Sequence, residues 1–455
     1  MGLHLLAVVL APWLAAPLAL VFGRRAGLAI AAITAVAQGL LVLGSSTEDA
    51  FRLGGIILRV DGLDRLLAPT LLFGVLAACA LGEPQSRAIA PAALLVDGAV
   101  MGVTLVDSPF LASLFLQLAG VAVLFVLPAR TPLPVQLARE AVAGAKYLSL
   151  TVVSSLALLG AFALVETTRI VGEAQTVGQV VLALLLIGVA LRVAAFPFQV
   201  WLPDFASIAP AAAVVLVSAV LNVTAVALLV ASLASAPWLV QPERNRLLLA
   251  GLGALSALGG AFLALNARDL RRVVAYSSTA EVGFVLYGFG LGSSASVTAA
   301  FALLVASVVS TAMLWTVIAN LERRIGVVEL GATRGLIAQL PGLALGFLAA
   351  SLTAGGLPLF AAFPGRWVLY RLSADLTPLL AVFLVAANAC LLLALLRAFR
   401  TCFLGRPPAE VVKRESAGVM AALLGLAGLS LGLGLAPSVL WEPLQRAVLG
   451  LPFLR

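Results

Sequence analysis

Apolar runs of about 18 residues or more recur along the whole 455-residue chain, and no other feature restricts its fold so strongly. A run of that length and composition crosses the hydrocarbon of a bilayer as a helix, because only a helix satisfies its own backbone donors and acceptors. Composition agrees. Hydrophobic residues make up 62% of the chain and charged residues 11%. Ordinary soluble domains are roughly 45–50% apolar and about 25% charged. A compact globule has no interior large enough for this excess, so a soluble enzyme is excluded, and so is a disordered chain. The expected fold is an all-α polytopic membrane protein.

Hydropathy divides the chain into about fourteen spans: 3–22, 27–44, 66–82, 89–106, 109–127, 146–165, 177–199, 209–233, 246–266, 272–291, 296–320, 341–370, 376–399 and 416–439. The first has no basic segment before it and no small-residue cleavage pattern after it, so it is expected to be a retained helix. Lys and Arg set the orientation. With the N-terminus outside, the cytoplasmic loops hold Arg24 and Arg25; Arg87; Arg130, Arg139 and Lys146; Arg268, Arg271 and Arg272; Arg323, Arg324 and Arg334; and Arg397, Arg400, Arg406, Lys413 and Arg414. That is roughly 17 basic residues against about 9 in the opposite loops, so both termini are expected on the outer side of the membrane.

Rare residues narrow the chemistry. There is one histidine, His4, and the cysteines Cys79, Cys390 and Cys402 are in no metal-ligand spacing. Haem, iron–sulfur clusters and structural zinc need clustered His or Cys, so no metal and no cofactor is expected on this chain. No phosphate-cradling glycine motif occurs. The net charge of +8 comes from basic residues scattered singly or in pairs between apolar runs. Membrane topology explains them, and a nucleic-acid partner is not expected.

Two spans are interrupted. The seventh contains Pro197 with Pro203 just beyond it; the twelfth contains Gly355, Gly356, Pro358 and Pro364. Proline removes a backbone donor and clashes with the preceding turn. In a membrane, broken helices in corresponding positions point to a transport pathway, although Pro and Gly are common in membrane helices for packing alone. Beside each break lies an intramembrane charge, Arg192 or Arg366. Such charges are costly and by default mark function, with snorkelling to the interface as the alternative.

These residues carry a resemblance. ALRVAAFPFQVWLPDFASIAP (190–210) followed by AVLNVTAVALLV (219–230) is similar to the signature of the antiporter-like membrane subunits of respiratory complex I and the large subunits of multisubunit cation/proton antiporters. The run from Asp269 to Ser278 resembles that family's DLKRLLAYSS. GGLPLFAAFPGRW (355–367) resembles its second broken helix, and RVDGLDRLLAP (59–69) resembles the opening of its third helix. The resemblance implies fourteen helices, with helices 4–8 and 9–13 as inverted repeats that each contain one broken helix. It divides the chain into residues 1–106, with the fourth helix opening the first repeat; 107–233, the rest of that repeat with its break at 177–199; 246–399, the second repeat with its break at 341–370; and 400–455, a loop and the last helix. It also implies partners, namely other membrane subunits of a complex, within the lipid bilayer. Redox chemistry would belong to those other subunits, so this chain is not expected to be catalytic alone.

Carried over residue by residue, the relay differs from the family's. The fifth-helix glutamate falls on Gln117, the seventh-helix lysine on Arg192 and the eighth-helix lysine on Asn222. The eleventh-helix His and Lys fall on Ser307 and Thr311, and the second broken helix's lysine on Arg366. A relay group must gain and lose a proton. Lysine can be tuned to do so, arginine stays protonated, and Gln and Asn do not titrate. Near the spans, the titratable groups singled out are Glu281, Glu140, Lys146, Asp107 and Asp204. Glu281 is a relay or interface candidate, Lys146 fits a topological role, and Asp204 a helix-start role. Three readings follow. The chain is an ion-translocating subunit with an altered relay, a non-conducting structural subunit that bridges conducting neighbours, or a secondary transporter that holds an anion between Arg192 and Arg366.

Overall fold

A computed structural model describes residues 2–46, 49–81, 88–126, 134–171, 174–326, 329–330, 334–406 and 413–454. Arg87 and Arg130 lie outside these residues, as do the side chains of Arg139 and Glu140. The helices are α1 (Leu3–Val21), α2 (Gly23–Gly44), α3 (Asp64–Leu81), α4 (Ile89–Leu105), α5 (Pro109–Val123), α6 (Pro134–Val171), α7 (Ala174–Arg192), α8 (Trp201–Ile208), α9 (Ala211–Val215), α10 (Asn222–Ser235), α11 (Glu243–Asn266), α12 (Leu270–Leu291), α13 (Ser294–Ile325), α14 (Pro341–Ala354), α15 (Phe363–Leu376), α16 (Pro378–Phe403), α17 (Ala417–Leu435) and α18 (Ser438–Val448). Each of the expected spans contains helix, and among the described residues ten helical stretches are long and apolar enough to cross a membrane. The protein is a multi-pass, all-helical membrane protein.

Several ends follow from local chemistry. Proline opens α5, α14, α15 and α16, where a missing N–H costs nothing. Ser293 starts α13 with a reciprocal capping box through Ser296, and Asp269 caps α12 by accepting from the Arg271 amide at 3.0 Å. Two boundaries depart from the hydropathy estimate. The sixth helix begins at Pro134, well before the apolar stretch, and α18 is a short further helix whose polar residues a hydropathy search passes over.

The chain packs as two compact units. One comprises Met1–Ala194, Ile208–Arg246 and Arg446–Arg455; the other comprises Ala195–Ser207 and Leu247–Gln445. In the first unit, α4 is almost wholly buried among α1, α2, α3 and α5. Trp13 lies over Gly98, where an added Cβ would fall 2.5 Å from the indole, and its Nε1 donates to the Leu95 carbonyl at 3.1 Å. A hairpin of β1 (Ala50–Leu53) and β2 (Ile56–Arg59) turns on Gly54-Gly55, both at positive φ, as a tight two-residue turn demands. The eighth span is buried along nearly its whole length and carries a π-helical turn at Leu216–Leu221 between α9 and α10.

In the second unit, α11 and α12 meet backbone to backbone. A Cβ at Gly253 would lie 2.2 Å from the Tyr287 amide, and one at Gly283 would lie 2.2 Å from the Ala257 amide. Small residues replace the hydrophobic effect as the source of close packing in lipid.

The two breaks are built alike. The seventh span loses helical form after Arg192 and resumes at Trp201; the twelfth stops at Ala354 and resumes at Phe363. Pro197 and Pro358 stand in the gaps, and Pro203 and Pro364 stand inside the helices that follow. Each gap has a non-glycine residue in the left-handed region, Ala194 at φ 52° and Leu359 at φ 81°. Such a residue persists only when its surroundings hold it. A serine from a helix later in the chain supplies part of that hold: Ser256 of α11 accepts from the Phe196 amide at 3.0 Å. Ser430 of α17 accepts from the Ala361 amide at 3.3 Å and bonds the Thr353 hydroxyl at 2.7 Å. Replacing Ser430 by Ala should lower stability by about 1–2 kcal/mol, seen as a lower unfolding midpoint in detergent. An unchanged midpoint would refute this fastening role.

Candidate functional site

Arg192 is the last residue of α7 and is 4% exposed. Its Nη2 donates to the Leu116 carbonyl of α5 at 2.7 Å. The guanidinium lies against Gly120, where a Cβ would come within 2.6 Å of both Nη1 and Nη2, so only glycine leaves it room. Beside it, the Tyr147 hydroxyl donates to the Gly120 carbonyl at 3.0 Å. Near it, α5 passes into a 3-10 turn at Leu124–Val126, and the Leu124 amide donates to the Val121 and Ala122 carbonyls. Among the described residues, Arg192 Nε and Nη1 have no hydrogen-bond partner.

The other expected groups of this unit are tied elsewhere. Gln117 follows Leu116 in the chain, and its Oε1 accepts from Ser155 of α6. Asn222 follows the π turn and donates to the Ser218 carbonyl at 2.9 Å. Lys146 is exposed on α6. The structure thus brings Arg192 to the α5 backbone, and it uses Gln117 and Asn222 as hydrogen-bonding groups inside helix contacts.

Arg366 is in the first turn of α15 and is 1% exposed. Its Nη2 donates to the carbonyl of Ala354, the last residue of α14. Its Cζ stands 4.3 Å from the centroid of the Phe284 ring, a cation–π contact of about 2 kcal/mol where water is excluded. Gly356, at φ 59°, makes room, since a Cβ there would fall 2.5 Å from Arg366 Cδ. Glu281 of α12 is 6% exposed and accepts from the Ser310 hydroxyl at 3.1 and 3.3 Å. Glu281, Ser307, Ser310, Thr353 and Arg366 line one cavity of about 10 Å³. That is about the room of a single water molecule.

The Arg366 guanidinium therefore addresses a C-terminal helix end within a break, whereas that of Arg192 bonds a carbonyl inside α5. Arg192 occupies the end of α7, and Arg366 bonds the end of α14. A helix C-terminus carries unsatisfied carbonyls and the negative end of the macrodipole, which stabilises a cation. The prolines play different parts: Pro197 and Pro358 are exposed in the gaps, Pro203 is buried and Pro364 half-buried.

Sequence reasoning found Ser307 but passed over its neighbour on the same helical face. Ser310 is the residue that reaches Glu281; Thr311 is buried and does not line the cavity. The three-residue spacing of Ser307 and Ser310 was the available signal. Tyr147 and Phe284 carry no sequence mark that separates them from other apolar-span aromatics.

Residues 107–391 match the family described as NADH:quinone oxidoreductase/Mrp antiporter, transmembrane. An NADH-quinone oxidoreductase subunit N from Hirschia baltica is 31% identical over 242 residues, covering 51% of each chain, so this alignment spans about half the length of that relative. A subunit N from Solidesulfovibrio magneticus is 30% identical over 333 residues, 70% of each chain. In structure, the chain superposes on a subunit of the Mrp complex from a Dietzia species with a TM-score of 0.87, at 20% identity and covering 99% of this chain and 98% of that one. The chain belongs to the NADH:quinone oxidoreductase/Mrp antiporter transmembrane family.

Gly120→Ala should force the Arg192 guanidinium from its seat and cost about 1–3 kcal/mol, measured as a loss of unfolding midpoint. The same readout for Phe284→Leu should fall by about 1–2 kcal/mol through the lost ring under Arg366.

Proposed function

We propose that the chain is an antiporter-like membrane subunit of a proton-translocating complex of the NADH:quinone oxidoreductase type or a related multisubunit complex, with a rewired relay. Its partners are other membrane subunits, and electron transfer takes place in other subunits of the complex. The chain sits in the inner membrane with both termini outward, as the distribution of Lys and Arg supports. In this reading the second repeat keeps one proton-carrying group, Glu281, with Arg366 as its fixed countercharge and the Ser307 and Ser310 hydroxyls as its hydrogen-bonding path. The first repeat holds a fixed charge where the family keeps a switchable one.

One observation carries this reading. Glu281, Ser310 and Arg366 share a buried water-sized cavity beside a broken helix, whereas Arg192 is bonded to a backbone carbonyl and Gln117 and Asn222 are tied to helix neighbours. A carboxyl in such a place can take and release a proton; a guanidinium, an amide or a hydroxyl cannot store that change of charge. An anion held by the arginines receives less support, because each guanidinium already donates to a backbone carbonyl oxygen.

The test uses the intact complex in sealed vesicles. Glu281→Gln should leave assembly and electron transfer in place and cut proton translocation by about tenfold or more. Undiminished translocation would instead assign the chain a bridging role without conduction. Restoring the first relay with Gln117→Glu, Arg192→Lys and Asn222→Lys together should raise the protons moved per electron; no gain would show that the first repeat is closed by more than these three side chains.

A further inference from the structure

Asp97 lies at the middle of α4, in a span otherwise free of charge, and is 1% exposed. Neither of its carboxylate oxygens has a hydrogen-bond donor among the described residues. Gln38 of α2, also 1% exposed, is the polar side chain that reaches it. Gln38 Nε2 donates to the Val8 carbonyl at 2.8 Å, and its Oε1 has no donor either. Three buried acceptor oxygens, two on Asp97 and one on Gln38, thus lack a donor among the described residues.

Among the described residues, the surroundings offer no cation. Helix α5 and residues 211–235, which also pack on α4, carry no titratable side chain. Those on α1, α2 and α3 are His4, Arg24, Arg25, Asp64, Arg65 and Cys79, and of these only Cys79 interacts with Asp97. An ionised carboxylate without a partner in such an interior costs several kcal/mol. Turning the Gln38 amide over does not help, because its oxygen would then face the Val8 carbonyl. A proton on the carboxyl resolves both deficits, since the acid O–H becomes a donor to Gln38 Oε1.

We infer that Asp97 and Gln38 form a proton-binding site in the N-terminal helices, with the proton held between the carboxyl and the amide oxygen. Thr104, two turns along the same face of α4 and about 10 Å away, lines a cavity of about 1270 Å³ whose wall includes Arg59, Asp61, Asp107 and Glu166. Arg59 and Asp107 pair there at 2.8 Å. The site gives the first compact unit a proton-carrying carboxyl, in the unit where Gln117, Arg192 and Asn222 store none. Its use in a relay rests on the function proposed above; proton binding itself does not.

Infrared spectroscopy of the intact complex in membranes at neutral pH tests it without any transport measurement. The expected result is a carbonyl band of a protonated carboxylic acid that disappears in Asp97→Asn and shifts to higher wavenumber in Gln38→Met, where the acid loses its acceptor. If Asp97→Asn removes an ionised-carboxylate band instead, the site holds a metal cation or an ion pair and the inference fails. Should Asp97→Asn not assemble, Gln38→Met decides alone: an unmoved acid band overturns the pairing. Loss of translocation in Glu281→Gln with no acid band at Asp97 would leave the proposed function standing and remove only this inference.

Discussion

Breaking a helix inside a membrane leaves carbonyl oxygens with no amide to bond them and no bulk water to take the amide's place. The described structure places a buried arginine beside each break and answers that constraint with a guanidinium at the second. Arg192 terminates α7, and Arg366 donates to the terminal carbonyl of α14. At the second break the arrangement is reciprocal, because the buried Arg366 cation would be costly without the partial negative charge of the α14 end, and that end would be undersatisfied without a donor. Much of the local detail serves the two arginines. Gly120 and Gly356 are bare where the guanidinium groups pass, and Phe284 presents a ring face to Arg366.

The breaks also need a frame that keeps them from collapsing. Ser256 and Ser430 accept from amides within them, and the left-handed Ala194 and Leu359 persist because these and neighbouring contacts hold them. Each serine comes from the helix that follows its break by two spans in the chain. This recurrence at the two breaks shows the internal repeat at the level of single hydrogen bonds, and it is sharper there than in the side chains that carry charge.

Those charged side chains have drifted apart between the two halves. In the second compact unit a carboxyl, three hydroxyls and a guanidinium converge on a space for one water. In the first, a guanidinium bonds to backbone, and the amides Gln117 and Asn222 complete helix contacts. The difference is one of chemistry and not of architecture. A site that must change its charge needs a group whose protonated and deprotonated forms are both reachable, and only the second of these clusters contains one.

The apolar runs by themselves determined the all-helical, membrane-crossing fold, because no other backbone form satisfies itself in lipid over such lengths. Pro197, Pro203, Pro358 and Pro364 likewise located both breaks, since proline's missing donor acts locally whatever surrounds it. What surrounds each polar side chain was decided only by packing. Ser310 and not Thr311 meets Glu281, Arg192 turns to Leu116 and not to Gln117, and Asp97, one acid in an apolar run, faces an amide from α2. Hydropathy averages over a whole span, whereas hydrogen bonds depend on which face of each helix is turned inward, and that rotation is set by neighbours distant in the chain.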